Sequence, residues 1–113
     1  MGDLSPHFSR HEFDSHDGAR AHPAPELIAA LERLRSICGD RPLKIVSGYR
    51  SPAHNRAVGG KPRSQHLVNK AADIPEGYAT VAQAERAGFT GIGNKGAWAV
   101  HVDVRPTRAR WSY

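Results

Sequence analysis

Three short spacings hold the chemistry open to this chain. Ser64-x-His66 leads to Asp73 in the pattern S-x-H-x6-D, and His101-x-Asp103 stands in an apolar stretch near the C-terminus. Two imidazoles and one carboxylate are the donor set with which proteins hold a catalytic zinc while leaving its fourth position open. His66, Asp73 and His101 are therefore candidate metal ligands, with Zn2+ the candidate cofactor and metal-assisted hydrolysis the implied chemistry. Taken singly, each residue has a plainer role. A histidine near a strand is more often structural than ligating, and an Asp after two alanines can cap a turn. The joint pattern is what points to a site.

Several elements must bring these donors together. His66 leaves a long segment, residues 48–65, that Gly48, Pro52, Gly59, Gly60 and Pro62 mark as a loop. A loop of that length in so short a chain is usually functional. Asp73 falls in a short strand, Ala71–Ile74, stopped by Pro75. His101 falls in a strand over Trp98–Val104. Alternation puts His101 and Asp103 on one face and Val100, Val102 and Val104 on the other. A carboxylate so placed has two natural jobs: to orient the ligand histidine, or to act as general base.

The framework is predicted as follows. Pro25, then Leu27, Ile28, Leu31, Leu34 and Cys38 at helical spacing, predict a helix over 25–38 that Gly39 ends. Leu43–Ser47 alternates as a strand with one buried face. Thr80 caps a second helix that runs to Ala87, and Phe89–Ile92 reads as a further strand. Residues 1–22 form an arm docked by Phe8 and Phe13, with Ser9-x-x-Glu12 as a capping box. This order predicts an α+β fold, a small antiparallel sheet with flanking helices, in one domain spanning 1–113.

At 113 residues, 39% hydrophobic and 24% charged, the chain suits a globular domain with a single core. Its net charge of +5 favours anionic partners such as nucleic acid, anionic lipid or acidic wall polymers. The cations are scattered, and only Arg105-x-x-Arg108-x-Arg110 clusters, so charge alone supports a nucleic-acid binder and no specific recognition is expected. Cys38 is the sole cysteine, which excludes an internal disulfide and reads as a small buried hydrophobe. No run is long enough for a membrane span, and no signal segment opens the chain. A monomer is expected, acting in the cytosol or leaving it by a route not written in this chain.

Longer motifs surround the donors: Ser47-Gly48-Tyr49-Arg50-Ser51-Pro52-x-His54-Asn55, Val58-Gly59-Gly60, Ser64-x-His66-Leu67, Ala71-Ala72-Asp73-Ile74, Gly88-Phe89-x-Gly91-Ile92-Gly93 and His101-Val102-Asp103-Val104-Arg105. From Phe8 to Trp111 the chain resembles the zinc D-Ala-D-Ala carboxypeptidase family, whose relatives include phage endolysins and the hedgehog signalling domain. The resemblance implies an α+β fold with zinc in a cleft on the sheet, ligated by His66, Asp73 and His101. It implies hydrolysis of peptide bonds in peptidoglycan. It also implies Arg50 as the group that meets a substrate carboxylate or carbonyl, for which a guanidinium fork is suited. Tyr49 and Ser64 are the further substrate-binding candidates, while His54 and Asn55 are expected to hold the loop.

The chain departs from the family pattern in places. Trp98 stands where many relatives carry an acidic base, and Ala99 where some carry a histidine. Asp103 is the nearest substitute base. Asn69 stands where glycine is common. The expected protein is an endolysin-like zinc peptidase; the alternative is a zinc-containing binding module without catalysis.

Overall fold

The strands β1 (Ala71–Asp73), β2 (Gly91–Lys95), β3 (Trp98–Asp103) and β4 (Ala109–Ser112) form one sheet in the spatial order β1-β3-β2-β4. The structure is a computed structural model that describes residues 2–113. β3 runs antiparallel to both β1 and β2, and β4 lies parallel to β2. The fold is α+β as expected, with a mixed rather than wholly antiparallel sheet. β4 has no alternating apolar pattern of its own; its residues are strand because β2 offers them an edge.

The two faces of the sheet do different work. Ala72, Val102 and Ile92 lie in register across β1, β3 and β2 and are fully buried. Helices α1 (Pro25–Ile37) and α3 (Val81–Arg86) back this face, α3 packing on β2 and β3, and α1 on α3. Leu27, Leu31 and Leu34 form the buried stripe of α1. In α3, the Thr80 Oγ1 accepts the Gln83 N–H at 3.1 Å, and Gln83 accepts the Thr80 N–H at 2.9 Å. The other face carries Asp73, His101, Gly93 and Trp111, again in register.

One irregularity keeps these faces distinct. Gly93 pairs with His101, but Asn94 pairs with Ala99, so Val100 is an extra residue in β3. The bulge reverses the alternation beyond it. Ala99 joins the core beside Val102, where a regular strand would have turned it to the face of His101. The position where some relatives have a histidine is therefore a core position here.

Two expectations are corrected. Leu43–Ser47 bury Leu43 and Ile45 as the alternation implies, yet the segment forms no strand. It touches β1 only through Val46 N–H to Asp73 O (2.9 Å) and Asp73 N–H to Ser47 O (2.7 Å), because β1 is just three residues long. Within 48–65, a short helix α2 (Pro52–Ala57) forms, with the Ser51 Oγ accepting the His54 N–H at 3.1 Å. Asn55 closes the following turn, donating to the Lys61 carbonyl at 3.0 Å.

The arm of residues 2–22 seals the core. Phe8 and Phe13 are each 1% exposed and meet edge to face at 6.1 Å; burial of each is worth about 1.5–3 kcal/mol. Gly48 lets the arm come close, since a Cβ there would lie 2.7 Å from the Phe13 Cα. Asn69 ties the arm to the chain near His66. Its φ of 61° is left-handed, the conformation that glycine and asparagine tolerate best. Its Oδ1 accepts the His22 N–H at 2.9 Å, and its carbonyl the Ala24 N–H at 3.0 Å. Asn69→Ala is expected to lower stability by about 1–2 kcal/mol, through the left-handed backbone and the lost bond. Asn69→Gly should lose less. Urea unfolding of the two variants checks this order.

Candidate metal centre

A 3-10 turn, Gln65–Val68, carries His66. The Ser64 Oγ accepts the His66 N–H at 3.2 Å and so starts the turn; Asn69 ends it. Asp73 closes β1 and His101 sits opposite it on β3. One ligand atom from each of His66, Asp73 and His101 can be chosen so that all lie within 4.8 Å of one another. His66 Nε2 and His101 Nδ1 both stand 3.2 Å from the same oxygen, Asp73 Oδ1. His66 and His101 are buried, whereas Asp73 is about one-third exposed (34%) and opens the cluster to solvent.

Each histidine has its remaining nitrogen tied down. His66 Nδ1–H donates to the Gly48 carbonyl at 2.6 Å, and His101 Nε2–H to Asp103 Oδ2 at 2.7 Å. These acceptors fix the tautomers so that a lone pair of each ring points at Asp73. Two lone pairs and a carboxylate oxygen repel unless a positive charge is shared among them. Protons supply that charge at low pH, and a divalent cation supplies it when the rings are neutral. The nitrogen-and-oxygen donor set is that of zinc. Burial opposes the charge on Asp73, but the bonds from His101 and His66 outweigh it and hold its carboxyl far below the usual carboxylate range. Burial likewise disfavours a charged His101, and the bonds to Asp103 and Asp73 overcome it and raise its pKa.

The other predicted site residues fall in different places. Ser64 serves the backbone of His66, as above. Tyr49 is half-buried against the core, its N–H donating to the Phe13 carbonyl at 2.8 Å. Arg50 is joined to the cluster through its backbone, N–H to the His66 carbonyl at 3.1 Å. Its guanidinium lies beside Gly60, and its buried Nε has no partner among the described residues. Asp103 sits apart from the three donors. It is fully buried (0% exposed) behind His101, on the side away from Asp73, and both its oxygens accept from Arg105. Its carboxylate thus faces His101 Nε2 and Arg105 rather than the open side of the cluster at Asp73. Burial opposes its charge, and Arg105 and His101 overcome this and hold its carboxyl far below the usual range.

Some residues of the site were not foreseen. Gly91 faces Asp103, where a Cβ would fall onto the carboxylate; Gly93 faces Trp111, where a Cβ would stand 2.6 Å from the indole nitrogen. Both glycines are legible as letters but not as partners, because their neighbours come from other strands. The Trp111 ring lies 4.9 Å from that of His101. The basic cluster is engaged within the molecule: Arg105 with Asp103, and Arg108 and Arg110 with Glu85 at 3.2 and 2.9 Å.

Comparison with known proteins bears on this geometry. The sequence model of the family described as Peptidase M15 matches residues 6–103, a span that includes all three donors. The zinc D-Ala-D-Ala carboxypeptidase of Streptomyces albus G is 39% identical over 66 residues. That stretch covers 55% of this chain and 26% of the relative, so the similarity spans about a quarter of the relative's length.

The raised pKa of His101 has a sign that can be tested. Its protonation stabilises the cation-free fold below the ordinary histidine range, near pH ~6.5. That contribution disappears as pH rises through the raised folded value. Zinc must displace the same proton. Zinc uptake is therefore expected to release protons, and affinity to fall steeply from about pH 8 to about pH 6. Chelator competition at the two pH values measures it; an affinity indifferent to pH would remove His101 from the donor set.

Proposed function

The chain belongs to the Peptidase M15 family, and from that premise we propose that it is a zinc peptidase hydrolysing peptide bonds of bacterial peptidoglycan, in the stem peptide or the cross-bridge, in the manner of an endolysin. The convergence of His66, Asp73 and His101 within 4.8 Å is the observation that carries this reading. In it, His66 through Nε2, His101 through Nδ1 and the Asp73 carboxylate hold the ion. Bound there, zinc supplies Lewis acidity toward a peptide carbonyl and toward water. The enzyme is of the D,D-carboxypeptidase or endopeptidase type.

The chain's own residues do the rest. Gly48 and Asp103 keep the two imidazoles in the tautomers that face Asp73. Asp73, the exposed member, marks the side from which a peptide arrives. Arg50 binds a substrate carboxylate or carbonyl; its unpartnered Nε and its link to His66 support this. The charge of the segment that leads to Asp73 favours anions as well. Between Asp40 and Asp73 the chain has no acidic residue, while Lys44, Arg50, Arg56, Lys61, Arg63 and Lys70 lie in that interval. Such a field draws carboxylate-bearing wall peptides toward the cluster.

One set of observations favours a second reading, a zinc-containing cell-wall binding module. Asp103 is enclosed, Ala99 is in the core, and Trp98 occupies the remaining position for an acid. Incubation of the zinc-loaded protein with purified muropeptides, followed by mass spectrometry, separates the two. The peptidase yields two fragments per cut, and their masses identify the bond. Full zinc content with no product supports the module. His66→Ala is expected to lose zinc and at least about 100-fold in activity. Arg50→Gln should keep its zinc and lose about 10–100-fold in kcat/KM.

A further inference from the structure

We propose that Arg105, clamped by Trp111, is a positioning residue for the metal centre: it locks Asp103 so that His101 presents Nδ1 to the ion. The inference rests on the reading of His66, Asp73 and His101 as zinc ligands, and extends it to residues that touch no ligand atom.

Asp103 has no exposed surface, so its charge must be met by protein donors. Oδ1 accepts the Arg105 backbone N–H at 3.2 Å and its Nε–H at 2.9 Å. Oδ2 accepts the Arg105 Nη2–H at 2.6 Å and the His101 Nε2–H at 2.7 Å. Four donors thus fill the carboxylate, three from Arg105 and one from the ligand histidine. The Nε/Nη2 edge of the guanidinium meets both oxygens at once, which fixes the carboxylate plane and not merely its place. A carboxylate fixed in plane offers His101 a single direction for its N–H. The imidazole is then set in both tautomer and tilt.

The fork needs its own support, and β4 provides it. The guanidinium carbon of Arg105 lies 5.0 Å from the centre of the Trp111 ring, and that ring lies 4.9 Å from His101. The contacts close a ring, His101 to Asp103 to Arg105 to Trp111 and back to His101. Two glycines make it possible. Gly91 leaves room for the Asp103 carboxylate and Gly93 leaves room for the indole. A lysine at 105 has a single ammonium, cannot span both oxygens in plane, and stacks less well on the indole.

Arg105→Lys keeps the charge and removes the fork. It is expected to weaken zinc binding by about 10–100-fold, the usual effect of losing a group that orients a ligand. With cobalt in place of zinc, the visible absorption bands should shift, since His101 is no longer held at one tilt. Arg108→Lys, on the exposed pair with Glu85, should match the wild type in both measurements. Asp103→Asn provides a second route, because the amide keeps the shape but cannot accept from both neighbours. It too should weaken zinc by about 10-fold or more. Folded Arg105→Lys and Asp103→Asn proteins with wild-type affinity and unaltered cobalt spectra would overturn the positioning role while leaving the metal centre standing. A wild-type protein that takes up no zinc, or keeps it in His66→Ala, would overturn the metal-centre reading and this inference with it.

Discussion

Two imidazole nitrogens 3.2 Å from one carboxylate oxygen form a contact that must be balanced by positive charge, and the rest of the structure is arranged around it. The donors come from three separate stretches, each fixed by a different local device. A hydroxyl-capped 3-10 turn carries His66. The end of β1 carries Asp73, and a bulged strand carries His101. Behind each histidine stands an oxygen acceptor, the Gly48 carbonyl for one and the Asp103 carboxylate for the other. Neither ring can turn its lone pair away without breaking a buried hydrogen bond, which costs about 1–3 kcal/mol when the group is left unsatisfied.

The sheet separates stability from chemistry by face. The face of Ala72, Val102 and Ile92 is apolar and backed by α1 and α3. The face of Asp73 and His101 is polar, and glycine holds the two positions where a side chain would obstruct it. The division relies on Val100. Without that extra residue, Ala99 would share a face with His101. A slip of one residue in a strand reverses every side chain, and here a single slip is used once, beyond the site.

How much of this is legible in the sequence differs residue by residue. His66, Asp73 and His101 announce themselves by donor type and spacing, and period-2 alternation correctly puts Asp103 on the face of His101. Depth is not legible in that pattern. The enclosure of Asp103 comes from Arg105, Gly91 and the close approach of β4, and strand pairings of this kind are set by distant parts of the chain. The stretch Ala109–Ser112 has no periodicity that would mark it as a strand, so Trp111 could not be placed beside His101. Leu43–Ser47 shows the converse: alternation tells which side chains are inward, not whether a ladder partner is long enough to pair. Asn69 is the most readable departure, since the left-handed backbone at that position explains both the glycine of relatives and the asparagine here.

The three donors differ in stiffness. Asp73 and His101 belong to strands that pair with each other in register, and neither can retreat without opening the ladder. His66 rides on a four-residue turn, held at its ends by Ser64 and Asn69. In the proposed centre, the donor on the turn would yield before the pair held in the strand ladder. Strength of binding and residence time would then answer to different parts of the molecule: the first to the contacts around His101, the second to the short turn that presents His66.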